Sequence, residues 1–432
     1  MNDEAQDFKP GFPIQHALQS MATESQLPNA LTFVYMRRMT DLGVSSAKGD
    51  MKRFRKAIEL GLKAGAVRLP VSEKRLRTAG VDLDRFLEAM KRPVSDKEVE
   101  AYGELFEKAV TNTTTHVIEF MSKAHGRYLK MNSEDILEEH RSYRAGFLIE
   151  LRKVWGVALD KFEVLLGIAR EVGEFSLQYM AESAEDGAWS YKQDALAFLY
   201  GRACQVADEI SVLLSHGLAD GAQARWRSLH EIQVVLHVLA HGDDELSRRY
   251  LEHHDIDLYH EAKATLSFGN TRVQGISKAQ FAEIERGRAE LLKEHGVHFD
   301  VAYGWASEVL GFKATRFSDI EKLADASYFR PFYKAASANV HASSRGTFTR
   351  LGAPDMSDGA LAGGSPYGLH RPAIGATHSL VLAAVDIANE AVSPDALAQA
   401  MAMEAFGREV NLAFERADKA SCRLQAQSRK KQ

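Results

Sequence analysis

Ser133 to Ala181 reads SEDILEEHRSYRAGFLIELRKVWGVALDKFEVLLGIAREVGEFSLQYMA, with no proline along its length. Its apolar residues Ile136, Phe147, Leu148, Leu151, Val154, Trp155, Ala158, Leu159, Phe162, Leu165, Leu166 and Ile168 fall mostly three or four apart. That spacing puts them on one face of a helix, whereas a half-buried strand would alternate. Asn132-Ser133, followed by Glu134 and Asp135, supplies an N-cap and first-turn acids that complement the helix dipole. The stretch therefore predicts one long helix or two coaxial ones, and with it an all-α fold.

Outward from this segment, glycines punctuate further helical patterns, as they often do at helix ends. Asp194–His216 runs into Gly217, Ala222–His241 into Gly242, Asp243–Phe268 into Gly269, and a helix capped by Ser277 into Gly296. Helices are also predicted over 301–310, 318–345, 374–391 and 394–427. The short connections imply antiparallel neighbours, hence a multi-helix bundle. No fixed-period repeat is present. The predicted organisation is an N-terminal helical region over 1–132, a bundle over 133–392, and a C-terminal part over 393–432. That last part is an amphipathic helix (Leu397, Met401, Phe406, Val410, Leu412, Phe414) with a basic tail, Ser428-Arg-Lys-Lys-Gln432.

Composition limits the function classes. The formal charge of −5 argues against wholesale non-specific nucleic-acid binding, while leaving room for a local basic patch. One exists: residues 48–92 carry thirteen Lys/Arg against six acids, a local +7 that leaves −12 for the rest. Because acids are interleaved, the expected reading is the solvated face of two short amphipathic helices. Cys204 and Cys422 are too few and too far apart for a disulfide framework or a thiolate metal site, which suits a reducing compartment. Met1-Asn2-Asp3-Glu4 opens no basic, then apolar, leader. The longest weakly charged apolar stretch, Ser379–Ala388, spans about half of a membrane helix. A cytoplasmic protein with no membrane partner is expected.

Residues 345–373 interrupt the helical pattern with a long Gly-rich loop, for which a short hairpin around Gly346–Leu351 and Leu361–Leu369 is predicted. Loops of this length in compact domains are usually functional or disordered. Arg345, Arg350, His370 and Arg371, set against Asp355 and Asp358, could receive an anion there.

Two further constellations carry chemistry. In Arg225-Trp-Arg-Ser-Leu-His230-Glu231, Arg225 and His230 stand at the Arg-x4-to-6-His spacing found in helical ribonucleases of the HEPN type. In those enzymes a histidine handles the ribose hydroxyl proton and an arginine steadies phosphate charge. The same spacing recurs at Arg248/His253, Arg248/His254, Arg249/His254, Arg288/His295 and Arg371/His378, as sixteen histidines among 432 residues make unsurprising. The competing reading makes Arg225 and Glu231 structural ion-pairing residues that brace Asp208 or Glu209 on the preceding helix. In Tyr333-Lys-Ala-Ala-Ser337-Ala-Asn-Val-His341-Ala-Ser343-Ser344-Arg345, the residues Tyr333, Ser337, His341 and Arg345 recur every fourth position. One helical face would then carry a phenol, a hydroxyl, an imidazole and a guanidinium. A third group, His253, Asp257, His260 and Glu261, offers metal-ligand types from a single helix and reads as a solvated face. No metal site and no cofactor are expected, since no nucleotide-binding, hydrolase-elbow or His-Glu-x-x-His signature is present.

Ala224-Arg-Trp-Arg-Ser-Leu-His-Glu231, Arg249-Tyr-Leu-Glu-His-His254, Tyr303-Gly-Trp-Ala306, Asp319-Ile-Glu321 and Tyr333 through Ser343 resemble, in that order, a bacterial family catalogued as domain of unknown function 5677. The likeness covers roughly residues 190–392. It implies a helical fold without an established activity, and it points to Arg225, Glu231, Tyr333, Ser337, His341 and Ser343. The expected function is a binding or interaction module for a protein partner or a small anionic ligand. Tyr333, Ser337, Ser343, Arg345, His370 and Arg371 would form the ligand surface and Glu231 a structural support. The alternative is a metal-independent HEPN-like ribonuclease or other phosphoryl-transfer enzyme acting on RNA, with phage defence as its setting. His341 or His230 would then be the acid/base and Arg225 or Arg345 the phosphate clamp. The exposed sides of the long helices offer surfaces on which two copies could dimerise.

Overall fold

The computed structural model describes residues 26–64, 67–183, 189–267, 276–311, 316–341, 343–353 and 360–429. Contacts divide the chain into two units, Met1–Leu137 and Glu138–Gln432. Among the described residues all regular structure is helical and no strand occurs, so the all-α expectation holds. No helix there is long and apolar enough to cross a membrane.

The first unit holds α1 (Gln26–Asp41), α2 (Asp50–Ala64), α3 (Glu73–Thr78), α4 (Leu83–Lys91) and α5 (Asp96–Met131). Its core is small: Met39, Val44, Phe54, Leu76, Val81, Phe86 and Met90. Arg38 lies buried against it, and a guanidinium there must have every N–H satisfied. It forms a two-point pair with Glu98, at 2.8 and 2.9 Å, and donates to the carbonyls of Ala89, Arg92 and Pro93. That pairing holds the Glu98 carboxyl well below the usual carboxylate range. The basic segment 48–92 forms three helices rather than two. Twelve of its thirteen cations face solvent, and Arg75 alone is half-buried, bound to the buried Asp50. The solvated-face reading accounts for nearly all of the local charge.

The second unit is built around α6 (Ser133–Ser183), α7 (Tyr191–Ser215), α8 (Ala219–Ala240), α9 (Asp244–Ser267), α10 (Lys278–His295), α14 (His370–Glu390) and α15 (Pro394–Arg429). The face of α6 read from the sequence is the buried one, from Leu151 through Trp155, Phe162 and Leu166 to Val172. Trp155 and Phe162 meet Phe414 of α15, with ring centroids 6.0 and 6.3 Å apart. α8 packs against α7 on one side and α14 on another, and α14 against α15. Ser190 caps α7 and Ser277 caps α10, each through the backbone N–H three residues on.

Several predicted elements differ. Residues 301–310 are turns around a single 3-10 turn, Gly304–Ala306, entered through Tyr303 in the left-handed region (φ 60°). The expected helix over 318–345 is broken into α11 (Phe317–Leu323), a 3-10 turn (Ser327–Phe329), α12 (Arg330–Val340) and α13 (Ser344–Phe348). Asp325 at φ 48° ends the first piece, and Pro331 in the first turn starts α12. His341 is extended (φ −101°, ψ 145°), so α12 stops before it, and Ser343 then caps α13 by accepting from the Gly346 N–H at 3.2 Å. Where a hairpin was expected at Gly346–Leu351, the chain is this short helix followed by irregular backbone.

The Gly-rich loop packs down where it is described; residues 354–359, with Asp355 and Asp358, lie outside the described residues. Asp220 in the first turn of α8 accepts from the N–H groups of Leu351 (2.8 Å) and Gly352 (3.3 Å) and pairs with Arg350 at 3.2 Å. The Ser365 N–H donates to Gly217 at 2.9 Å. Pro366 accepts from Trp155 Nε1 and Ser421 Oγ, both at 2.9 Å.

Candidate functional site

The segment Arg225–Glu231 distributes its side chains by helical period. Trp226 and His230, four apart, point inward and stack with ring centroids 5.6 Å apart. His230 is fully buried inside an aromatic cage of Trp226, Phe317, Phe329 and Tyr333. Its Nε2 lies 3.2 Å from Oε1 of Glu321, which is 1% exposed and also accepts from Arg330. Burial lowers the His230 pKa against the opposing pull of Glu321. The neutral ring thus donates from Nε2, leaving Nδ1 with no partner among the described residues.

Beside this node, Glu231 accepts from the Tyr333 hydroxyl and from Arg227 at 3.2 Å, and the Arg227 guanidinium lies 4.9 Å over the Tyr333 ring. Burial, then the Glu231 carboxylate, pushes the Tyr333 pKa up, so the phenol remains a donor. Arg225 points elsewhere: it pairs with Glu209 of α7 and donates to Ser228 Oγ at 3.2 Å. Of the two partners the structural reading offered, Glu209 is the one found, while Glu231 is engaged by Arg227 and Tyr333.

The expected polar stripe does not form. Tyr333 and Ser337 share α12, with Ser337 Oγ donating back to the Tyr333 carbonyl at 2.9 Å. His341 lies past the helix end, exposed, and Arg345 sits on the separate α13. Ser343 is occupied as a cap. The break re-aims Arg345 towards α14, where His370 and Arg371 lie, and these three residues line one cavity of about 360 Å³. Its walls are Trp226, Phe329, Phe332, Ala335, Ile374 and Gly375. Gly375 is small for a reason: a Cβ there would stand 2.8 Å from the Trp226 ring. Gln223, from the first turns of α8, also lines the cavity; it is 6% exposed, and its Oε1 has no hydrogen-bond partner among the described residues. His370 Nδ1 lies 2.8 Å from Asp418 of α15, whereas Arg345 and Arg371 have no ion-pair partner among the described residues.

The sequence reading reached the cations of this cavity but not its apolar walls. Trp226, Phe329 and Phe332 come from three elements and carry no linear signature. The His253 group is also better partnered than a solvated face. His253 is buried, with Nε2 3.0 Å from the Val301 carbonyl, and His260 lies 3.3 Å from Asp300.

The chain matches no curated protein and no solved structure. The His230–Glu321 node, the Glu231–Tyr333 pair and the part of the cavity formed by α8, α12 and α13 all fall within residues 193–359, and that segment matches the model of DUF5677, a family of unknown function.

Proposed function

We propose that the chain is a binding module whose cavity between α8, α12, α13 and α14 takes a small anion with an apolar, ring-sized body. The observation that carries this reading is the pairing of opposites in one enclosure. Aromatic walls from Trp226, Phe329 and Phe332 face two guanidinium groups, Arg345 and Arg371, that no described carboxylate neutralises. A volume of about 360 Å³ suits a small organic ligand. The buried Gln223 Oε1 asks for a donor, since an unpaired buried acceptor is costly, and a ligand N–H or O–H would supply it. Tyr333, held by Glu231, supports α12 from behind rather than touching the ligand.

The ribonuclease alternative has less support. A general base needs access to substrate, yet His230 is sealed, and Arg225 is taken up by Glu209. Incubation with labelled RNA in chelator, comparing wild type with His341→Ala, tests what remains of it; cleavage lost with that substitution would restore the enzyme reading.

The binding reading is tested with 8-anilinonaphthalene-1-sulfonate, an aromatic anion whose emission rises in apolar surroundings. Saturable one-to-one binding is expected, weakened about tenfold or more, roughly 1.4 kcal/mol, by Arg345→Ala combined with Arg371→Ala. Both cations are at the surface, so the variant should keep its melting temperature. Equal affinity of wild type and variant would remove the proposal.

A further inference from the structure

A second site lies on α8, away from the cavity. His237 is in the last turn of this helix and His241 is the residue that ends it, four positions on, while Asp386 comes from α14 alongside. Both Asp386 oxygens are 3.1 Å from His237 Nδ1, and the two imidazole rings are 4.2 Å apart at their centroids. One ligand atom from each of the three residues falls within 4.8 Å of the others.

From these positions we infer that His237, His241 and Asp386 form a binding site for a divalent transition metal, with zinc the best match. Ligands 2.0–2.1 Å from tetrahedral zinc stand roughly 3.3 Å apart, close to the His237–Asp386 separation. His241 has its Nδ1 2.9 Å from the His237 carbonyl. Donation from Nδ1 fixes the tautomer that leaves Nε2 with a free lone pair, the usual support for a metal-bound histidine. The His241 ring is exposed, and its ligand atom already stands within 4.8 Å of those of His237 and Asp386.

Asp386 supplies a second, independent argument. Asp386 is 4% exposed, yet among the described residues its carboxylate hydrogen-bonds to His237 alone, and a buried carboxylate calls for a cation. The single lysine of α7, Lys192, is engaged by Glu390, four residues further along α14, at 2.8 Å. Two imidazoles and one carboxylate are the nitrogen and oxygen donors that zinc, cobalt and nickel accept. Three protein ligands, with the His241 ring open to solvent, leave at least one position for water or an exogenous ligand.

The full chain, stripped with chelator and dialysed at pH 8, is titrated with zinc against a chromophoric competitor, and separately with cobalt, whose visible bands report tetrahedral nitrogen and oxygen coordination. One equivalent of tight uptake is expected. His241→Ala should weaken it at least tenfold, while His254→Ala, an exposed histidine on α9, leaves it unchanged. Asp386→Asn should also abolish tight uptake, but its side chain is buried, so His241→Ala is the deciding variant because folding does not depend on an exposed ring. Zinc should raise the melting temperature of wild type and not of His241→Ala. No stoichiometric uptake, or equal uptake by wild type and His241→Ala, would overturn the assignment; the second result would mean adventitious binding to surface histidines.

Discussion

His230 shows how far a single residue can be read. Its four-residue gap from Arg225 was visible as a spacing, but its partner Glu321 is 91 positions away and its cage comes from four segments. Burial, the largest influence, holds its pKa below the ordinary histidine value; Glu321 and Glu231 oppose this and Arg330 adds to it. His378, close by, is lowered for the same first reason. As pH falls through the ordinary value, the unfolded chain takes up protons that the folded chain refuses. Stability is therefore present in full above about pH 6.5 and declines below it, by up to about 1.4 kcal/mol per pH unit for each such histidine. Urea denaturation of wild type and His230→Gln at pH 5 to 8 checks this: the wild-type loss on acidification should shrink in the variant. Parallel curves would show that His230 is not the sensor. The cysteines give a second contrast. Burial pushes the Cys204 thiol up to about 11, whereas Cys422 is exposed, so iodoacetamide at pH 8 should label Cys422 rapidly and Cys204 only on unfolding. Mass spectrometry of the labelled peptides reads the outcome directly.

At the scale of elements, the long helices were legible because each buries a continuous apolar stripe, and burial of that kind imposes the 3.6 period on the sequence. α6 is the plainest case: Leu151, Trp155, Phe162, Leu166 and Val172 are buried as the spacing required. The region 318–345 was misread because its alanines suit a helix anywhere, while the residues that break it act one at a time. Asp325 adopts a left-handed backbone, Pro331 sets a helix start, and Gly346 admits a close crossing that no periodicity records. A Cβ at Gly346 would lie 1.9 Å from the Ala338 carbonyl oxygen, so α13 can approach α12 only with glycine there. Gly346→Ala should displace α13 and with it Arg345, costing about 1–3 kcal/mol as overpacking does and weakening sulfonate binding. Ser343→Ala removes only the cap of the same helix and should cost about 1 kcal/mol. Thermal unfolding with probe titration separates the two, and a Gly346→Ala protein that binds normally would show that α13 does not shape the cavity.

For the whole molecule, the question is how many bodies fold. Among the described residues the first unit has a small core, a cluster of Met39, Val44, Phe54, Leu76, Val81, Phe86 and Met90, with the Arg38–Glu98 pair beside it. A core of that size stabilises a domain only marginally. The second unit buries a far larger set running from Leu151 to Ala417, and both the cavity and the His237–His241–Asp386 site use residues from that set's own helices. Residues 133–432 expressed alone should therefore fold, melt in one cooperative transition, and bind the aromatic sulfonate and zinc with the affinities of the full chain. In the full chain, calorimetry should show a minor transition that disappears in this truncation, and Arg38→Met should move that minor transition alone. The sign of that shift is informative in its own right. Replacing Arg38 leaves Glu98 with only the exposed Arg92 at 3.5 Å and the Ser95 donors, so the minor transition should fall, by a margin of about 1–3 kcal/mol because the carboxylate keeps these weaker partners. A single transition displaced as a whole by Arg38→Met would mean that the two cores share one folding equilibrium, and the truncated chain would then fail to fold as well.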